Sequence, residues 1–409
     1  MMNTATRNRC RWFEPGWAAG CMLAMIGLIS TSCARSENPS QATDPAVTDP
    51  AATGGRRVVL ESEVITVDRM YHSMDGPSLL VPLDLEPEHR GALLWLTAVR
   101  NEAIAAGTGA RLSQEFLCHS NLAITSREQL ARRSADFDAT DNLEARLITL
   151  IQGQNEVRLP AGFGLPIVAG EPLELFSMVI NRNEANLPFD MRVRTTVEYT
   201  PDGMSETPIV PLFRRRLFSY VQTEDPQHPG SSGDSRHPAH RHAMNGPHAM
   251  NGQHGDADTM AETAQSAVSD KTLGRDAAGS VYTMHWLVPP GRHVYRTPTR
   301  SQLKLGFDTT LHYVTGHLHP FGRSIALIDL TTGEEVFHLT ASAYASKIGI
   351  EKMESFTSRE GKPIYQDRAY ELVTVYDNPT DAPIDAMAIV YLHLRDQEFR
   401  RLGRHPHAS

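Results

Sequence analysis

Cysteine is scarce here: four in 409 residues, three of them before residue 34. Cys10 and Cys21 lie inside an N-terminal leader-like segment and Cys33 at its end, which leaves Cys118 alone in the body of the chain and excludes an internal disulfide framework. Cys118 is then a buried small residue, a free thiol or a soft metal ligand. Long apolar runs are missing too. The stretch 18–29 is too short to span a membrane comfortably. Positive charge is not in excess: 39 Lys and Arg stand against 48 Asp and Glu, for a net charge of -9, which gives no reason to expect a nucleic-acid partner. No Gly-rich phosphate loop, nucleophile elbow, zinc-protease helix motif or Cys-x-x-Cys occurs. The readiest signs of nucleotide, serine-type and thiol-redox chemistry are therefore absent.

What is present is punctuation. The chain carries 29 Gly and 26 Pro between short runs of Val, Ile, Thr and Tyr, the pattern of an all-β protein. Arg7, Arg9 and Arg11 precede the apolar stretch, and Ser30-Thr31-Ser32 runs into Cys33. Residues 1–33 resemble a bacterial lipoprotein signal, with Cys33 as the lipidated residue, although Ser30 stands where Leu is usual. The expected location is the cell envelope, lipid-anchored to the membrane, or secretion. Residues 34–57, rich in Ser, Pro, Thr, Asp and Ala, read as a flexible tether. A first domain is expected over 58–223. In it, 88–106 shows helical spacing of Leu93, Leu94, Leu96, Val99 and Ile104, and 191–199 alternates as a half-buried strand does.

Periodicity stops over 224–275. This tract holds His237, His240, His242, His248 and His254, and repeats HAMNGP as HAMNGQ. It is either a metal-collecting arm, since imidazole and thioether both suit copper, or low-complexity drift. A second domain is expected over 276–398, with about eight short strands, among them 302–307, 311–319 and 387–394; such a series fits a sandwich or jelly roll. Residues 399–409 read as a tail.

His317-Leu318-His319 lies in a strand-like run that ends at Pro320. On a strand, residues i and i+2 share a face, so the two imidazoles project side by side, as a metal needs. On the last strong strand, Met387, Ile389, Tyr391 and His393 share a face. His285 and His293 read as structural. His312 should face away from His317.

The order His317-x-His319, Thr332-Gly333-Glu334, 371–378 and Met387 on a closing strand resembles the C-terminal domain of the copper type II, ascorbate-dependent monooxygenases. These include the peptidylglycine α-hydroxylating and dopamine β-monooxygenases. The resemblance implies two tandem jelly-roll-like β-sandwich domains, here joined by the His/Met-rich linker. It implies a dioxygen-activating copper on His317, His319 and Met387, with a reductant such as ascorbate and a small-molecule or peptide substrate. It also implies a second copper on three His of the first domain. Here Cys118 and His119 occupy the adjacent pair, and the later strand offers Met178 but no His, so that second site is expected to be altered or lost. Two functions follow as expectations: an exported copper monooxygenase, or a non-catalytic copper-binding envelope lipoprotein.

Overall fold

The computed structural model describes residues 54–71, 75–125, 145–223, 272–275 and 281–399. The leader with Cys33, nearly all of the tether, the five linker histidines and almost all of the tail lie outside these residues.

The fold is all-β. Its first part holds β1 (Arg56–Glu61), β2 (Ile65–Val67), β3 (Ser78–Asp84), β4 (Leu93–Ala105), β5 (Leu117–Ile124), β6 (Arg146–Ile151), β7 (Glu156–Arg158), β8 (Phe163–Val168), β9 (Pro172–Val179), β10 (Phe189–Pro201), β11 (Val210–Phe218) and β12 (Val221–Thr223). The second holds β13 (Thr272–Arg275), β14 (Val281–Thr283), β15 (Trp286–Val288), β16 (Gly291–Pro298), β17 (Thr309–Leu318), β18 (Gly322–Asp329), β19 (Glu335–Ala343), β20 (Ile350–Met353), β21 (Ser355–Ile364), β22 (Tyr370–Asn378), β23 (Ile384–Ala386) and β24 (Ala388–Arg395).

In the first sandwich, the sheet β1-β10-β4-β8 faces the sheet β3-β9-β5-β6 across a core that includes Leu94, Leu96, Leu122, Leu147 and Leu165. In the second, β11-β24-β17-β21 faces β16-β22-β18-β19-β20 across Leu311, Val314, Ile325, Leu339 and Leu392. These are the two tandem jelly-roll-like sandwiches. A parallel contact of β8 with β11 (Val210 with Phe163, Pro211 with Gly164) makes one ten-stranded sheet run through both. β11 falls within 58–223 in sequence, yet it pairs with β24 of the second sandwich.

Two expectations fail. The helix expected over 88–106 is the strand β4, preceded by a short 3-10 turn at Pro87–His89. β4 is a central strand buried on both faces, so the alternation that marks a half-exposed strand is erased. The strand expected at 302–307 is instead a helical turn, Arg300–Leu303, ended by Lys304 in the left-handed region. Elsewhere the alternation holds: β10 buries Met191, Val193, Thr195 and Val197 and turns Arg192 and Arg194 outward.

The two faces of β17 decide the site. Val314 and Leu318 point into the core of the second sandwich, whereas Tyr313 packs with the core of the first. Gly316 shares the inward face; a Cβ there would come within 2.7 Å of the Met353 methyl and 3.0 Å of Ile325. Thr315 and His317 therefore face the first sandwich.

Candidate metal centre between the sandwiches

β17 pairs with β24 so that Tyr313 faces His393, Thr315 faces Tyr391 and His317 faces Ile389. One step on, the His319 N–H donates to the Met387 carbonyl at 3.2 Å, so Met387 stands beside His319. On its other side, β23 pairs with β15, Trp286 opposite Ala386 and Leu287 opposite Asp385. The same register puts His285 opposite Met387. Cross-strand neighbours share a face, so His285, Met387 and His319 form one row, with His317 and Asp385 in the rows to either side.

The backbone of this row is pinned from inside the sandwich. Tyr376, fully buried, donates its hydroxyl to the Met387 carbonyl at 2.6 Å and accepts the His319 N–H at 3.0 Å. Behind it the inward side chains Trp286, Ala386 and Ala388 are buried. Met387 itself is partly buried and packs against the apolar core.

The rings of His317 and His319 stand 5.3 Å apart at their centres, nearly perpendicular, and both are buried. His285 and His319 are 5.7 Å apart, and His119, on β5 of the first sandwich, is 6.5 Å from His317. Two imidazoles held by one ion through N–metal bonds of about 2.0–2.1 Å place their ring centres roughly 5–6 Å apart. The first two pairs meet that condition and the third falls just outside it. Asp385 approaches His319 Nδ1 at 2.8 Å and His285 Nδ1 at 3.8 Å.

Burial favours the neutral, ligand-competent form of His317, His319 and His119. His317 is pushed well below its ordinary pKa by desolvation, with further lowering by His319, His119, His285 and Arg182. His319 is also lowered by burial, although Asp385 opposes the shift. His119 is pushed down to about 3, first by burial and then by Arg146 and His319. Burial alone would raise the Asp385 carboxyl, but His285 and His319 outweigh it and hold it well below the usual carboxylate range.

The first-sandwich residues expected to bind a second copper are arranged differently. His119 Nδ1 lies 3.4 Å from Cys118 Sγ, and Met178 is the cross-strand partner of His119. Cys118 and Met178 are buried with Ile180 against Phe176, and burial pushes the Cys118 thiol up to about 11, so it remains protonated. No second imidazole from the first sandwich joins His119 among the described residues; its ring neighbours are Phe176 and His317. His312 sits at the bulge between Leu311 and Tyr313, where the alternation of β17 breaks; its ring lies 4.2 Å from that of Phe163, and it contacts Thr310 and the Ser358 carbonyl.

In the sequence His285 reads as structural and nothing marks Asp385 as a ligand. Their place depends on the pairing of β15 with β23 across about a hundred residues of chain, for which no local signal exists.

No family model matches this chain, and no curated protein matches it. Among solved structures, peptide-N-glycosidase F, a glycosylasparaginase from Flavobacterium meningosepticum, is similar at 8% identity over 84% of this chain and 97% of its own, with a TM-score of 0.31. The capsid of broad bean stain virus is similar at 9% identity over 90% of this chain and 97% of its own, TM-score 0.33. The STIV MCP is similar at 8% identity over 82% and 97%, TM-score 0.27. Likenesses this loose carry no information about a site.

Proposed function

We propose that this protein binds copper on His317 and His319, with Met387 as a soft third ligand, and uses it for reductant-driven hydroxylation of a C–H bond. The observation that carries the reading is the pair of buried imidazoles at the end of β17, His317 on the strand and His319 one residue past it. They stand side by side and turn toward the other sandwich instead of their own core. Two imidazoles suit both oxidation states of copper, and a thioether suits Cu(I). Bound there, the metal would supply one-electron chemistry toward dioxygen, drawing on a reductant such as ascorbate.

The chain's own residues do the rest. β17 fixes the spacing of the two rings. Tyr376 ties the backbones of His319 and Met387 together. The desolvated cleft keeps the imidazoles unprotonated, and a ligand must be unprotonated to bind. The facing first sandwich, through His119, closes the site against bulk water, leaving the half-exposed edge near Asp385 for a small-molecule or peptide substrate. Export and anchoring through Cys33 belong to the same reading, supported by the small residues that lead into that cysteine.

A second reading is copper storage or transfer without turnover. It is favoured by one observation: β9 brings Met178, not a histidine, to His119, so among the described residues the first sandwich offers one imidazole there for an electron-storing second copper. Copper per chain in wild type and His317→Ala, measured by elemental analysis, separates these from a metal-free role. About one equivalent is expected outside the His-rich 224–275 tract, lost in the variant; retained stoichiometry defeats the assignment. Substrate-coupled oxygen uptake with ascorbate selects the enzyme, and copper without uptake selects storage.

A further inference from the structure

We propose that His285, His319 and Asp385 form a divalent-cation site, two imidazoles and one carboxylate, which takes a first-row ion such as zinc(II) or cobalt(II) and shares His319 with the copper side. One ligand atom from each of the three lies within 4.8 Å of the others. Donors bound to one ion at about 2.0–2.2 Å stand roughly 3 Å apart. The His319–Asp385 contact of 2.8 Å is already at that spacing, and the His285–Asp385 contact of 3.8 Å is one small side-chain adjustment away.

The frame is rigid where it needs to be. His285 is held by a reciprocal pair of bonds with Thr283: its N–H donates to Thr283 Oγ1 at 3.2 Å, and that hydroxyl donates back to the His285 carbonyl at 2.8 Å. β15 and β23 are paired through all three residues of each. The two imidazoles are buried, with side chains 8% and 4% exposed, whereas the carboxylate is 46% exposed, so an ion has an entrance at the Asp385 edge. Arg182 faces the same carboxylate and weakens its pull on a cation. The two imidazoles supply the coordinate bonds that offset this.

The donor types separate the two sides. Nitrogen and carboxylate oxygen suit zinc(II), cobalt(II) and iron(II), whereas the thioether side suits Cu(I). His319 could serve both ions at once only as an imidazolate, through both ring nitrogens. A neutral ring serves one. The two metals therefore compete.

The site is tested by titrating the full chain with cobalt(II), following its visible absorption, in wild type and in His285→Ala, Asp385→Asn and His317→Ala. The linker histidines contribute the same background to every sample, so the difference between proteins reports the site. Asp385→Asn keeps the side-chain shape at a half-exposed position, which guards against loss by misfolding. Expected are one site lost or weakened by roughly ten- to hundredfold or more in His285→Ala and Asp385→Asn, retained in His317→Ala, and displaced by Cu(I) in wild type. Wild-type cobalt(II) affinity in both His285→Ala and Asp385→Asn overturns the proposal. So does simultaneous binding of cobalt(II) and Cu(I) at full occupancy. Copper retained by His317→Ala would instead defeat the copper reading and leave this site standing.

Discussion

Replacing Tyr376 with Phe probes the frame under the site without touching a metal ligand. The ring is fully buried and packs against Trp286 at 6.0 Å, so Phe keeps its contacts and leaves only a hydroxyl-sized gap. What is lost is the hydroxyl, which donates to the Met387 carbonyl at 2.6 Å and accepts the His319 N–H at 3.0 Å and the Met387 N–H at 3.3 Å. Each such bond contributes about 1 kcal/mol net, and a buried group left without a partner costs about 1–3 kcal/mol. The His319 N–H keeps the Met387 carbonyl at 3.2 Å, so the orphaned group is the Met387 N–H. The expected loss is about 2–4 kcal/mol. At roughly 2–4 °C per kcal/mol for a domain of this size, the melting temperature falls by roughly 4–16 °C. Urea unfolding of metal-free protein, followed by circular dichroism, measures the loss directly. A shift under about 0.5 kcal/mol would refute the idea that this hydroxyl holds the His319–Met387 junction.

Two further outcomes test the electrostatics. His393 is 1% exposed, and its pKa is pushed down to about 3, by burial first and then by Arg214. The folded value lies below the unfolded one of about 6.5, so the unfolded chain binds more protons between the two. The stability this residue provides is complete above about pH 6.5 and drains away as pH falls toward 3. At pH 5 the loss is about 2 kcal/mol, so His393→Phe should lose about that much less than wild type between pH 7 and 5; parallel pH profiles by denaturant unfolding would contradict it. At the sandwich junction, Glu115 is buried and accepts from Lys347 at 2.6 Å and from Asn183 at 2.8 Å. Lys347→Ala strands a buried carboxylate, while Glu115→Gln leaves Lys347 with access to water, so the lysine variant should be the less stable by about 1–2 kcal/mol. Thermal melts showing the reverse order would rule out the argument.

Legibility tracked exposure. β10 shows one face to water and one to the core, so its residues alternate and were readable as a strand. β4 is covered on both faces, and its Leu and Ala clusters mimic helical spacing. β11 has no strand signature in the sequence, because Arg214, Arg215 and Arg216 interrupt its apolar run. In the fold two of these are buried: Arg214 lies 4.3 Å over the Tyr391 ring, and Arg215 donates to the Leu303 carbonyl at 3.1 Å. Those partners sit far along the chain, where no local pattern points to them.

The sequence by itself determined that His317 and His319 share a face, because a strand repeats every two residues wherever it lies. It also set Ile389, Tyr391 and His393 at alternate positions of one strand, and these pair with His317, Thr315 and Tyr313 of β17. Only the tertiary structure decided which way that face turns and what meets it. His285 and Asp385 join His319 through hydrogen-bonded pairing between strands distant in sequence, and His119 arrives from another sandwich. Spacing along a chain carries a residue's direction on its own strand; it carries nothing about which strand will lie alongside.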